Sequence, residues 1–231
     1  MKPRLHTPID AVVIHIPIDG FSLDGELVIP FQAKGIVLFA HGSGSSRHSP
    51  RNMFVAQKMQ IHSLATLTVD LLSEQEDKNF EMRFDIKLLT KRLMAITNWI
   101  KHNKTTRNLA IGYFGASTGA AAALWAAAAK GSEIKAVVSR GGRVDLANSI
   151  LKSLKVPTLL IVGQLDYEVL EVNKEAFLKL KGEKELAIIP KATHLFEETG
   201  ALERVAQLAS VWFGQHLGKT SGVSPGVGRK T

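Results

Sequence analysis

Short, unbroken apolar runs alternate along most of the chain with stretches whose apolar residues recur at helical spacing. Gly35–Ala40 (GIVLFA), Leu64–Val69, Leu109–Phe114 (LAIGYF), Ile134–Ser139 (IKAVVS), Thr158–Gly163 (TLLIVG) and Glu185–Ile189 (ELAII) are rich in aliphatic residues. They have the length of strands, and continuous apolarity predicts strands covered on both faces. Between them, Asn52–His62, Arg83–Lys101, the alanine-rich stretch to Ala129, Val144–Leu151, Val169–Leu180 and Ala201–His216 predict helices. In Arg83–Lys101 the apolar positions are Leu88, Leu89, Leu93, Ile96, Trp99 and Ile100. Ile9–Ile16 and Glu26–Ile29 predict an antiparallel opening, with Asp19-Gly20 and Asp24-Gly25 as turns. Strand–helix alternation of this kind implies a mainly parallel sheet of about eight strands, because parallel neighbours need crossovers and the crossovers place helices on both faces.

Every connection between Gly35 and Leu217 is short enough to be a loop of one sheet, so residues 1–217 read as a single α/β domain. Gly218–Thr231 (GKTSGVSPGVGRKT) has no periodicity and reads as a disordered tail. Only Arg140–Pro157 lies between two of the predicted strands where a lid could be inserted, which leaves no room for a large cap. The longest uncharged stretch, Leu109–Ala129, could in length span a bilayer, but Gly112, Gly115, Ser117, Thr118 and Gly119 divide it into two elements. Trp99, Trp125 and Trp212 lie at apolar helical positions and read as packing residues.

Composition narrows the chemistry. The chain of 231 residues contains no cysteine, which excludes disulfides, thiolate metal sites and a cysteine nucleophile. The net charge of +8 suggests acidic partners, yet the basic residues are interleaved with acids, as in Lys174, Glu175, Lys179, Lys181, Glu183, Lys184 and Glu185. That pattern fits a solvated face and, at most, salt-sensitive nonspecific polyanion binding, with no specific nucleic-acid partner. The N-terminus lacks a continuous apolar region before a cleavage site, and a cytoplasmic location is expected.

Gly115-Ala116-Ser117-Thr118-Gly119 follows a predicted strand and opens a predicted helix. A G-x-S-x-G turn in that setting presents its serine above a sheet edge, beside the free N–H groups of a helix N-terminus. A serine hydroxyl needs a base held by a third group. His194 follows the last predicted strand, and Asp166 follows TLLIVG, although Asp166 could equally be a helix N-cap. Ser117, Asp166 and His194 then stand in the chain order nucleophile, acid, histidine, each after a different strand. Oxyanion donors would be the backbone N–H of Thr118 and, from the loop His41-Gly42-Ser43-Gly44, that of Ser43. This loop lacks the spacing of either nucleotide-binding glycine motif. Arg140 ends a strand at the same edge and is placed to hold a substrate carboxylate, or to serve structurally.

HGSGSSR (41–47), GYFGASTGAAAAL (112–124), VVSRGGRVDLA (137–147), PTLLIVGQLDYEV (157–169) and IPKATHLFEE (189–198) together resemble the α/β-hydrolase superfamily. Within it, they resemble the cap-free proteins related to dienelactone hydrolase. The resemblance implies an eight-stranded sheet, a triad of Ser117, Asp166 and His194, hydrolysis of an ester or lactone through an acyl-enzyme, and no metal or organic cofactor. Dienelactone hydrolase itself uses cysteine where this chain has Ser117, so the resemblance is to a serine-containing subgroup. Some members of that subgroup are fused to a phosphoribosyltransferase domain, for which this chain is too short. The expected function is cleavage of a small-molecule ester or lactone. Thioester cleavage and a catalytically weak binding module are the alternatives.

Overall fold

The computed structural model describes residues 11–18 and 20–218; the expected disordered tail lies outside the described residues from position 219 on, as does Asp19 of the first expected turn. The apolar runs become the middle of an eight-stranded sheet with the order β1-β2-β4-β3-β5-β6-β7-β8. β1 (Val12–Ile18) and β2 (Phe21–Val28) form a hairpin, and β2 joins β4 (Ala65–Val69) antiparallel. The pairings among β4, β3 (Ile36–Ala40), β5 (Ile111–Ala116), β6 (Ile134–Arg140), β7 (Thr158–Gly163) and β8 (Lys184–Ile189) are all parallel. Every residue of β3, β4, β5 and β7 is buried, so both faces of these strands are covered; only β4 alternates, with Thr66 and Thr68 buried between apolar residues.

Successive side chains of each strand point to opposite faces. Val37, Phe39, Phe114, Ala136 and Val138 face α1 (Pro50–Ile61) and α6 (Ala201–Leu217). Leu38, Tyr113 and Val137 face α3 (Ile86–His102), α4 (Thr118–Lys130) and α5 (Tyr167–Lys179). In α4, Ala120–Ala123 are fully buried, so that the helix axis lies close to the sheet. Trp212 is buried and Trp99 and Trp125 are half-buried against the core, as expected of packing residues.

Three details differ from the sequence pattern. Asp24-Gly25 is no turn but lies within β2, where a Cβ on residue 25 would stand 3.1 Å from Val69 Cγ2, so the glycine permits close approach to β4. Val144–Ile150 is a 3-10 segment instead of an α-helix, in a stretch where Asp145, Asn148 and Ser149 favour turns. A short helix, α2 (Glu74–Lys78), interrupts the connection from β4 to α3. Among the described residues no large cap is present: β6 and β7 are joined by residues 141–157, which contain the 3-10 segment. The long uncharged stretch is divided between β5 and α4, and no helix of the described residues is long and apolar enough to cross a membrane.

Candidate active site

The turn from β5 to α4 is tight enough to exclude side chains at both of its glycines. A Cβ at Gly115 would lie 2.4 Å from Ala120 Cα, and one at Gly119 would lie 2.2 Å from the Ala40 carbonyl oxygen. Ser117, between them, has φ 50° and ψ −120°, a backbone conformation that costs a residue with a Cβ about 1–3 kcal/mol. Its N–H donates to Arg140 O at 3.2 Å, and its own carbonyl accepts from Ala120 N and Arg143 N, both at 3.1 Å. Ser117 is thereby fixed at the carboxyl edge of the sheet, half-buried, at the first turn of α4.

Gly42, from the loop after β3, meets this turn: a Cβ there would stand 3.0 Å from Ser117 Cβ. His41 anchors the loop from within. Its Nε2 accepts from Leu71 N–H at 3.0 Å, so the ring proton is on Nδ1 and is donated to Gly42 O at 3.0 Å. His41 is neutral, buried and occupied at both nitrogens, a role that the loop motif alone did not reveal. The Ser43 N–H donates at 2.9 Å to the hydroxyl of Thr118, a residue only 1% exposed. The amide expected to receive an oxyanion is therefore already partnered, and could serve an oxyanion only by sharing its proton with that hydroxyl.

Asp166 and His194 come from neighbouring strand ends, β7 and β8, and meet directly. Asp166 Oδ2 accepts from His194 Nδ1 at 2.6 Å. Asp166 occupies the N-cap position of α5, yet its side chain makes no capping bond; the carboxylate is turned to the imidazole instead. This leaves His194 Nε2 free to accept a proton. The Asp166 side chain is 13% exposed and that of His194 39%, so the pair is sheltered on the carboxylate side and open on the imidazole side. Ser117 Oγ forms no hydrogen bond to the imidazole. The two are nevertheless brought to one place: Gly141, which follows the residue that holds Ser117 N–H, lies where an added Cβ would be 3.4 Å from His194 Nδ1 and Cε1.

Arg140 pairs across the sheet with Ala116 on one side and Ile161 on the other. Its side chain is buried, and burial, reinforced by the nearby Arg51 cation, pushes its pKa down to about 10. Beside the His41 loop, a polar cleft of about 440 Å³ is lined by Ser45, Arg47, Asp70, Ser73 and Asp77, with Arg47 ion-paired to Asp70. Among the described residues, no three His, Asp or Glu side chains gather in a way that could hold a metal ion.

Comparison with known proteins bears on the family and the fold. The sequence profile of the dienelactone hydrolase family matches residues 24–214. A putative phosphoribosyl transferase of Mycobacterium tuberculosis (strain H37Rv) is 53% identical over 193 residues, 84% of this chain and 44% of that protein, so the chain spans less than half of its relative. Among solved structures, a dienelactone hydrolase from Anabaena variabilis superposes with a TM-score of 0.89 at 52% identity, covering 91% of this chain and all (100%) of the other. Est1E from Butyrivibrio proteoclasticus shares the fold at 17% identity, with a TM-score of 0.76 over 90% of this chain and 99% of its own.

Proposed function

The chain belongs to the dienelactone hydrolase family, and on that premise we propose that it is a serine hydrolase cleaving small carboxylic esters or lactones through an acyl-enzyme. The observation that carries this reading is the 2.6 Å bond from His194 Nδ1 to Asp166, made beside a serine held in a strained turn. Asp166 has given up helix capping to hold one tautomer of a histidine, which a module that only binds has no need of.

In the reaction, His194 Nε2 removes the Ser117 Oγ proton as the oxygen attacks the substrate carbonyl, while Asp166 stabilises the imidazolium that forms. The oxyanion is received by Thr118 N–H, at the positive end of α4, and by Ser43 N–H shared with the Thr118 hydroxyl. The imidazolium then protonates the leaving alkoxide, and water, deprotonated by the same imidazole, releases the acid. In a lactone the leaving alkoxide remains tethered to the acyl group, so ring opening precedes hydrolysis. Thioesters would follow the same steps with a thiolate leaving group. The loop between β6 and β7 is too short to enclose a long acyl chain, which supports small, water-soluble substrates.

The test is steady-state hydrolysis of 4-nitrophenyl acetate by the folded protein. Turnover should fall by about 10³-fold or more in Ser117→Ala, as expected when a nucleophile is removed. Turnover that equals the buffer background in the wild type would favour the binding-module alternative and overturn the reading.

A further inference from the structure

A threonine on a helix can donate its hydroxyl proton to the carbonyl one turn back, as Thr90 does to Ile86 O and Thr97 to Leu93 O within α3. Thr118 is the first residue of α4 and has no preceding turn. Its Oγ1 accepts from Ser43 N–H at 2.9 Å, and among the described residues no acceptor takes its own proton. Of the other threonines exposed by 1% or less, Thr97, Thr106 and Thr158 each donate to a backbone carbonyl, and Thr66, in β4, accepts from Gln60 only. A buried hydroxyl proton left without an acceptor is costly, and a ligand that supplies the acceptor removes the cost.

What sets Thr118 apart is its place. It directly follows Ser117 and opens the positive end of α4. The Ser43 peptide that it binds belongs to the loop after β3, and this loop lies against the nucleophile: a Cβ on Gly42 would stand 3.0 Å from Ser117 Cβ. The N–H and the hydroxyl of one threonine can bond a single oxygen together, so a charge that forms beside Ser117 and meets Thr118 N–H has this second donor at hand. The Ser43 N–H strengthens it, because a hydroxyl that accepts a hydrogen bond becomes a better donor in turn. The same bond fixes Oγ1, so the proton has only to rotate about the Cβ–Oγ1 bond to meet a new acceptor. An acceptor that is absent at rest and appears as an oxyanion makes such a donor catalytic, since only bonds stronger in the transition state than in the ground state lower the barrier.

We propose that the Thr118 hydroxyl is itself an oxyanion donor: the tetrahedral oxygen bonds Thr118 N–H and Thr118 Oγ1–H together, and Ser43 N–H acts through that hydroxyl instead of bonding the oxyanion directly. The inference rests on the serine-hydrolase reading above and changes the second donor of its oxyanion hole from a peptide to a side chain. The proton stays on Oγ1 throughout, so the step adds no proton transfer. When the carbonyl re-forms, the hydroxyl loses its acceptor and returns to the resting arrangement. Serine can therefore replace threonine at this position, whereas valine, which has the shape of threonine without the hydroxyl, cannot.

Turnover of 4-nitrophenyl acetate by Thr118→Val and Thr118→Ser tests this. Thr118→Val should lower kcat by about 10²-fold with KM nearly unchanged, the size expected for one oxyanion donor, and Thr118→Ser should keep most of the wild-type rate. Inhibition by trifluoroacetone, whose adduct with Ser117 Oγ carries an oxyanion, should weaken in Thr118→Val by about the factor lost from kcat/KM; a change that only disturbs packing has no reason to follow that proportion. Thr118→Ala gives the same comparison should circular dichroism show Thr118→Val to be unfolded. A Thr118→Val protein as fast as the wild type, or faster because the hydroxyl had only filled the place of the oxyanion, would overturn the donor, and so would equal losses in the valine and serine variants. In each of these cases turnover abolished by Ser117→Ala leaves the hydrolase reading intact. Wild-type turnover at the buffer background overturns both.

Discussion

At the scale of single residues, the site is assembled from groups that are each expensive where they stand. Ser117 has a Cβ and yet takes φ 50°; Asp166 leaves the N–H groups of α5 without a side-chain cap; Arg140 holds a buried charge without an acceptor. Such costs persist where surrounding structure enforces them and function uses them. The Arg140 cost can be measured. Arg140→Met replaces a desolvated cation by an apolar chain of similar length and should raise stability by about 1–3 kcal/mol at pH 8. The sign of the pH dependence follows from linkage. The folded-state pKa, pushed down to about 10, lies below the unfolded value, so between the two the unfolded chain binds more protons and stability rises with pH. The gap between wild type and variant is therefore full below about pH 10 and narrows above it. Urea unfolding at pH 8 and pH 10.5 measures both; a wild type as stable as the variant at pH 8 would contradict the account. Residue identity alone leaves Asp166 equally readable as cap or triad acid, and the direction of its carboxylate, toward His194 and away from the N–H groups of α5, is visible only in the structure. Nor can a sequence show that the Thr118 hydroxyl takes the Ser43 N–H, since the two are 75 positions apart.

At the scale of elements, the central strands are legible because burial on both faces makes them short and mostly aliphatic, as in IVLFA of β3 and TLLIVG of β7. Helix ends are less so. Apolar spacing starts α1 at Asn52, whereas the structure starts it at Pro50, capped by the Ser49 side chain. Helix α2 has no apolar periodicity at all and is held by a reciprocal cap between Ser73 and Glu76, a signal carried by S-x-x-E and not by hydrophobicity. The turn between β5 and α4 is the element on which the proposed mechanism depends, and Gly119 sets how closely α4 approaches the end of β3. Gly119→Ala should cost about 1–3 kcal/mol through overpacking. It should also lower kcat by about 10²-fold, since a shift of roughly 1 Å misplaces Ser117 against its partners. Thermal unfolding together with ester turnover checks this; unchanged kcat would mean that the turn tolerates displacement.

At the scale of the molecule, an eight-stranded sheet brings residues 117, 166 and 194 to one edge although each belongs to a different βα unit. That convergence is legible in advance, because parallel strands present all their carboxyl ends together and every candidate follows a strand. What is not legible is the path of a long side chain once it leaves that edge. The strand alternation sends Arg140 toward α1 and α6, and only the packed structure reveals that its Nε and Nη1 end there without an acceptor. The small interval between β6 and β7 leaves the edge without a large cap, so a reagent can reach His194, whose side chain is 39% exposed. The central claim is that Asp166 and His194 activate Ser117, and covalent labelling by a fluorophosphonate, read by peptide mass spectrometry, tests it most directly. The account predicts modification at Ser117 alone, abolished in Ser117→Ala and in heat-denatured protein and slowed by about 10³-fold or more in His194→Gln. Folded wild-type protein that remains unmodified, or that is labelled equally fast without His194, would contradict it.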